Sequence, residues 1–386
     1  MENSPPPEKL FFSLKYVIGP SILLACVLGL RWPVWSRLLF FAWYINHLLQ
    51  GIGIRTGDTW LDYSNGSTLG GDIFKTLYLL FLVDPVLDWR HRSDGETKIV
   101  DRPRWQRIYW CLCASFTLRG VGWNYQVPGV PSPSRMNQSL FLCCTVGRVV
   151  SSYLLLDIVQ CSMQAIPFFS EPLPNATVRS YSYLHQVLYM VLCFAVPYGA
   201  LRFHYYLAAL GAVIFGYSSQ EDWPDFFGSW FDAYSVRNLW GKTWHQMLRR
   251  HCVSIGKAIA KLLGAPKRTL VSLIIELHVA FLISAIMHSF GDYTLGWQHI
   301  GMSLPFFIMQ PSAIVFEILF TYATNEHRYT RSIPLSVKRF IGYTWTLAWF
   351  TYSAAWYIDP FAQIGFGKID IVPFSVIRFV AGHLHH

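Results

Sequence analysis

Charge is scarce in this chain. Only 14% of its 386 residues are Asp, Glu, Lys or Arg, against 53% that are hydrophobic. A soluble domain carries about a quarter charged residues, so the shortage excludes an ordinary soluble enzyme and points to a chain threaded repeatedly through a bilayer. Paired C-x-x-C motifs are also missing: Cys111 and Cys113 form a lone C-x-C, and the other cysteines are scattered. That spacing supports neither a disulfide framework nor a zinc site. The Gly- and Pro-rich stretch Arg119–Pro133 matches neither the phosphate-cradling loop nor the dinucleotide fingerprint. The net charge of +9 suggests nucleic acid at first sight. The basic residues gather in loops between apolar runs, however, and no compact basic module interleaved with aromatics occurs, so no nucleic-acid partner is expected.

Long apolar runs are present. They read as spans at Leu10–Leu30, Val34–Ile52, Ile73–Leu87, Gln138–Met163, Tyr183–Tyr217, Thr269–His288, Gln298–Ala323 and Ile341–Ile358, each set against the ~20 residues that cross a membrane. The first reads as a retained span, since no basic region or small-residue cleavage site accompanies it. Ile108–Thr117 and Ile371–Val380 are shorter and fit re-entrant or interfacial helices. The expected fold is all-α and polytopic, with about 8–9 transmembrane helices and accessory helices around a central reaction tunnel. It forms one integral-membrane domain over residues 1–386.

Residues 88–137 and 218–268 are strongly basic and should face the cytosol, whereas Gly53–Asp72 and Ile166–Ser182 carry few basic residues and should face the other side. N-x-S/T sequons at Asn65 and Asn175 agree with that assignment; a third, at Asn137, lies in a basic loop. Parity then requires Tyr183–Tyr217 to cross an odd number of times. One crossing plus a re-entrant piece near Pro197–Arg202 meets the requirement, with Arg202 and His204 kept out of lipid.

Ionisable groups inside apolar runs mark the chemistry, because each costs several kcal/mol unless paired or hydrated. Asp157, Glu276, His278, His288 and Glu317 are such groups. Carboxylates of this kind also serve as helix bridges. His288 follows the run FLISAIM, which has no other titratable group, and a neutral imidazole in an apolar cavity suits a general base; the competing reading is a satisfied helix-end histidine. Asp292 completes an H-x-x-x-D spacing with it, or is a plain helix-end carboxylate.

Two further stretches stand out. In SVRNLWGKTWHQMLRR (Ser235–Arg250), Trp240, Trp244 and Met247 are spaced to share a helix face, with His245 and Gln246 beside them. In RGVGWNYQVPGVPSP (Arg119–Pro133), the Gly and Pro spacing demands turns. DPVLD (Asp84–Asp88) has a D-x-x-x-D look, but no second aspartate-rich motif accompanies it at a comparable span end.

The segments RGVGWN (Arg119–Asn124), LWGKTWHQMLR (Leu239–Arg249) and SAIMHS (Ser284–Ser289) resemble the fungal wax-synthase-like branch of the membrane-bound O-acyltransferases, in order, spacing and number of spans. The resemblance implies an acyl-CoA-dependent O-acyltransferase with His288 as the buried catalytic histidine. His245 falls where relatives often carry Asn, and His245 or Asn124 would donate to the oxyanion. Arg119, Lys242 and Arg249 would face the phosphates of acetyl-CoA, with Trp240 and Trp244 beside them. No metal is implied. The acceptor would be a hydrophobic hydroxylated terpenoid or meroterpenoid reached from the lipid bilayer, in the endoplasmic reticulum. The rival readings are a long-chain wax-ester acyltransferase, an intramembrane prenyltransferase or terpene cyclase, and a lipid transporter.

Overall fold

The computed structural model describes residues 12–171, 173–325 and 333–384. Leu10 and Phe11 of the expected first span lie outside them. The described chain is helical, and its one β-type pairing is the isolated antiparallel bridge between His91 and Trp123. The longer helices are α1 (Gly19–Gly29, entered through a π turn), α2 (Val34–Gly53), α3 (Thr59–Leu77), α4 (Arg104–Phe116), α5 (Gln138–Ala165), α6 (Tyr183–Ile214), α7 (Arg249–Leu262), α8 (Leu270–Thr294), α9 (Leu304–Asn325), α10 (Leu335–Gln363) and α11 (Val376–Leu384).

By length and apolarity, four segments among the described residues qualify as membrane-crossing: Gln138–Ala165, Tyr183–Ile214, Leu270–Thr294 and Trp297–Thr324. The expected spans Val34–Ile52 and Ile341–Ile358 coincide with α2 and α10, which have 20 and 29 residues. The chain is a polytopic all-α integral membrane protein.

Two compact units divide it. One comprises residues 1–128 and 246–319, the other residues 129–245 and 320–386. In the first, α3 packs along α8, α8 along α7, and α1 against α4. Small residues permit the close approaches, as they do wherever apolar helices must touch without a hydrophobic drive. A Cβ on Gly66 would lie 2.7 Å from the Phe290 carbonyl oxygen, and one on Gly71 would lie 2.8 Å from Met287 Sδ. From the facing helix, a Cβ on Gly291 would strike Ser67 Oγ. Gly256 of α7 likewise faces the Glu276 backbone, and Gly29 of α1 faces Ile108 of α4.

In the second unit, α5 packs along α6 and α10 packs on α6. Polar residues of α5 secure the C-terminal segment: Gln160 Oε1 accepts from the N–H of Val372 at 2.8 Å, and Asp157 Oδ2 from the N–H of Ile377 at 3.0 Å. Asp157, fully buried, is thereby an anchor for the start of α11.

Three expectations change. The run Ile73–Leu87 is not a span of its own. It is the end of α3, which begins back at Thr59 with Asp58 accepting from the Leu61 N–H, followed by a π turn and a break at Val83. Much of the expected connection Gly53–Asp72 is therefore helix.

The re-entrant piece in Tyr183–Tyr217 does not form. α6 runs through Pro197 as one helix of 32 residues, about 48 Å at ~1.5 Å per residue. The guanidinium of Arg202 lies over the rings of Tyr198 and Tyr206, 5.2 and 5.7 Å from their centroids, one turn to either side. His204 bonds to the Ala200 carbonyl at 2.8 Å, so neither residue needs a broken helix.

Ser235–Arg250 is not one amphipathic helix either. A short turn at Val236–Asn238, capped by Ser235, passes into a π turn at Leu239–Thr243, and Trp244 is extended. The backbone there is drawn sideways: the Gly228 N–H donates to the Thr243 carbonyl at 2.8 Å and Thr243 Oγ1 donates to the Ser229 carbonyl at 3.0 Å.

Candidate active site

Glu276, His278 and His288, three ionisable groups of the apolar stretch Glu276–Tyr293, have separate fates on α8. Glu276 Oε1 accepts from Ser272 Oγ at 2.8 Å, one turn back on the same helix. His278 is exposed and its Nδ1 bonds to the Ile274 carbonyl at 2.8 Å. Both are satisfied by their own helix. His288 instead faces across to α3, where its Nδ1 lies 3.4 Å from the Tyr63 hydroxyl. Its ring stacks on Phe307 of α9, with centroids 4.4 Å apart and planes at 12°. The glycines that let α3 and α8 approach carry Tyr63 to the imidazole, and Tyr63 is itself buried.

Asp292, four residues on, is fully buried and is not the partner of His288. Its two oxygens accept from the Ser303 N–H at 3.0 Å and the Ser303 hydroxyl at 2.6 Å. It ties the end of α8 to the start of α9, the helix-end reading of that carboxylate.

RGVGWN forms a compact knot in the first unit. Gly120 and Gly122 have φ of 64° and 77°, the left-handed region that favours glycine. A Cβ on Gly122 would press on the His91 ring at 2.8 Å, and one on Gly120 would strike Arg250 and Tyr125. Asn124 straps the knot to the preceding loop, since its Oδ1 accepts from the Arg90 N–H at 3.0 Å and its Nδ2 donates to the Asp88 carbonyl at 2.9 Å.

Behind it, the Arg250 guanidinium sits over the Tyr125 ring at 3.3 Å and over Trp89 at 4.9 Å. Burial pushes the Tyr125 phenol up to about 12, against the pull of Arg250. The neighbouring His251 is buried, and its Nε2 has no hydrogen-bond partner among the described residues. Burial, followed by the positive charges of Lys75 and Arg250, holds its imidazole down at about 3. Arg119 is also buried, whereas Arg249 is half-buried and donates to the Pro128 carbonyl at 3.1 Å and to Gln246 Oε1 at 3.0 Å.

In the second unit, His245 is half-buried among Trp244, Phe226 and Phe227, at centroid distances of 5.7, 6.1 and 6.2 Å. Trp244 meets Trp240 at 6.1 Å, Phe227 at 5.2 Å and Phe194 at 6.3 Å; Trp240 meets Phe350 at 5.8 Å. The two tryptophans thus belong to one aromatic cluster, while Lys242 is exposed.

Asp84 and Asp88, the two carboxylates of the D-x-x-x-D stretch, are engaged locally. Asp84 pairs with Arg31 at 3.2 Å, and Asp88 Oδ2 accepts from the Asp84 N–H at 2.9 Å. Among the described residues no group of three or more His, Cys, Asp or Glu is arranged to hold a metal ion.

Sequence reasoning missed Tyr63, Phe307 and Arg250. The signal for the first was legible: Gly66 and Gly70 stand in a small-x-x-x-small spacing, which marks a helix face pressed against a neighbour, and Tyr63 precedes Gly66 by three positions on that face. Phe307 and Arg250 are ordinary residues made distinctive only by what the fold stacks on them.

Residues 223–309 match the Membrane bound O-acyl transferase family. Over most of its length the chain is also similar to curated fungal proteins. Acetyltransferase ple2 of Rhodocybe pseudopiperita is 28% identical over 339 residues, 84% of this chain and 82% of the relative. Acetyltransferase eriL of Hericium erinaceus is 26% identical, covering 82% of this chain and 81% of the relative. O-Mevalon transferase macI of Penicillium terrestre is 28% identical, covering 75% and 71%. No solved structure matches the chain. The family segment and these relatives together make the chain an acyltransferase enzyme, similar to the fungal membrane-bound O-acyltransferase-like acetyltransferases.

Proposed function

We propose that the enzyme moves an acetyl group from acetyl-CoA to a hydroxyl of a hydrophobic terpenoid or meroterpenoid, in the endoplasmic reticulum membrane, with His288 as general base. The observation that carries this reading is the setting of His288: an imidazole in an apolar helix, stacked on Phe307 and facing Tyr63 rather than a carboxylate. The His288 nitrogen takes the proton of the acceptor hydroxyl as its oxygen bonds to the thioester carbonyl carbon. The C–S bond then breaks, the CoA thiolate recovers the proton from the imidazolium, and the products are the ester and free CoA.

His245 and Asn124 are the proposed oxyanion donors. The Asn124 amide donates to the Asp88 carbonyl in the resting fold, and His245 is half-buried among Trp244, Phe226 and Phe227. For the CoA phosphates, exposed Lys242 is the favoured partner and buried Arg119 the least favoured; Arg249, Trp240 and Trp244 complete the proposed donor contacts. The basic loops are taken to face the cytosol, where CoA is available. The relatives are named for both acetyl and O-mevalon transfer, so the acyl group is the finer point to test.

Free-thiol release from acetyl-CoA and longer acyl-CoAs, by purified protein with hydroxylated terpenoids and long-chain alcohols, tests the reading. Acceptor-dependent release from acetyl-CoA is expected, and His288→Ala should lower it by about 10²- to 10⁴-fold, the usual contribution of general-base catalysis. Release untouched by the substitution would remove His288 as the base. Activity confined to long-chain donors would overturn the acetyl assignment.

A further inference from the structure

We propose that Tyr63 is a positioning residue for acyl transfer: its phenol oxygen accepts the Nδ1 proton of His288 and so leaves the Nε2 lone pair to take the proton of the acceptor hydroxyl. The inference rests on His288 being the base, and adds which nitrogen acts and what holds the ring.

A neutral imidazole carries one proton, on one nitrogen or the other, and the partner of the first nitrogen decides the tautomer. Nδ1 of His288 has the Tyr63 hydroxyl 3.4 Å away, and a phenol oxygen can receive N–H as readily as it can donate O–H. Were it to donate, Nδ1 would be the acceptor and Nε2 would carry the proton, leaving no free lone pair for the base. The active tautomer therefore has Nδ1–H donating to Tyr63 Oη, with the phenol keeping its own proton.

The geometry fixes this pairing from three helices. Phe307 of α9, stacked at 12° and 4.4 Å, sets the plane of the imidazole and resists its rotation. Tyr63 is brought up by the glycine contacts of α3 against α8, at Gly66, Gly70 and Gly291. Asp292, the carboxylate that spacing offers for the orienting role, is engaged with Ser303, which leaves the role to the phenol. During transfer the imidazolium forms, and the same oxygen then accepts from a charged donor, a stronger bond than in the resting state. Tyr63 thus acts on the transition state through His288, without touching the substrate.

The test compares wild type, Tyr63→Phe, Tyr63 replaced by 3-fluorotyrosine, and His288→Ala as full chains in detergent. Acetyl-CoA is the donor, and farnesol, geranylgeraniol and polycyclic terpene alcohols are the acceptors. Tyr63→Phe should lower kcat by about 10- to 100-fold, the effect of losing a hydrogen bond to a charged group, with KM and thermal midpoint unchanged. 3-Fluorotyrosine, a weaker acceptor and stronger donor of almost the same shape, should give an intermediate kcat.

A second readout needs no acceptor. The rate at which diethyl pyrocarbonate carbethoxylates His288, followed by peptide mass, should fall in the same order. An increase in either rate with 3-fluorotyrosine means the phenol donates and overturns the proposal. Equal rates in Tyr63→Phe and wild type do the same, leaving the base assignment intact if His288→Ala is inactive. An active His288→Ala removes both.

Discussion

At the scale of single residues, the chain separates polar groups that serve the fold from the one proposed to serve chemistry. Asp292 and His288 lie four positions apart on α8, close enough to read as a pair, yet the carboxylate binds Ser303 and the imidazole faces Tyr63. Asp292→Ala should therefore lower stability by about 1–3 kcal/mol, because two donors of Ser303 lose a buried acceptor, with activity per folded molecule largely kept. His288→Ala should do the reverse. Thermal unfolding beside specific activity separates the two, and equal losses of both in each variant would contradict the assignment.

His251 gives a further residue-scale prediction. Its imidazole is held near 3 in the fold and titrates at ~6.5 when unfolded, so the unfolded state binds the extra proton as pH falls. Stability is full above about pH 6.5 and declines below it, toward 3. The thermal midpoint should drop between pH 7.5 and 5, and His251→Leu should flatten that drop; parallel curves would exclude His251 as its source.

The elements were legible where one property decided them and illegible where two competed. Gln138–Met163 and Thr269–His288 were readable because length and apolarity agree, and α5 and α8 cover them. Asp58, Asp62, Asn65 and the glycines give the first half of α3 the look of a loop in sequence, although those glycines are the surface on which α8 lies. Pro197 and Arg202 suggested a break in α6, but flanking tyrosines screen the guanidinium and the helix continues. Spacing placed Trp240, Trp244 and Met247 on one helix face, yet contacts with residues 228–229, distant in sequence, turn the backbone there. His288 could be picked from its apolar run, whereas its partner Tyr63 required the packing of α3.

If the glycine surface of α3 matters as argued, Gly70→Leu should cost at least tenfold in activity and lower the thermal midpoint, since a Cβ there already meets the Phe290 ring at 2.5 Å and overpacking costs about 1–3 kcal/mol. Gly147→Ala on α5, where a Cβ meets nothing within 4 Å, should be neutral or slightly stabilising. Helix propensity favours both substitutions, so similar losses in both would mean that the damage is not specific to α3–α8 packing.

For the whole molecule the open quantity is orientation, and the three sequons supply a direct reading of it. Asn65 lies inside α3 and is half-buried. Asn137 is the N-cap of α5, its Oδ1 accepting from the Leu140 N–H at 2.9 Å, at the end of a basic stretch assigned to the cytosol. Asn175 is different: it is exposed, outside any helix, and has φ of 65°. Its sequon threonine ends up donating to Asp359 at 2.6 Å, a residue made much later in the chain, so that bond forms after the sequon has emerged. If 88–137 and 218–268 face the cytosol, as proposed, the connection Ile166–Ser182 is lumenal and Asn175 is the expected acceptor. Expression in yeast should give a band that shifts on peptide-N-glycosidase treatment, with the shift abolished by Asn175→Gln and kept in Asn65→Gln and Asn137→Gln. A glycan at Asn137 instead would invert the orientation. It would put the basic loops in the lumen and remove the argument that CoA meets Lys242 from the cytosol.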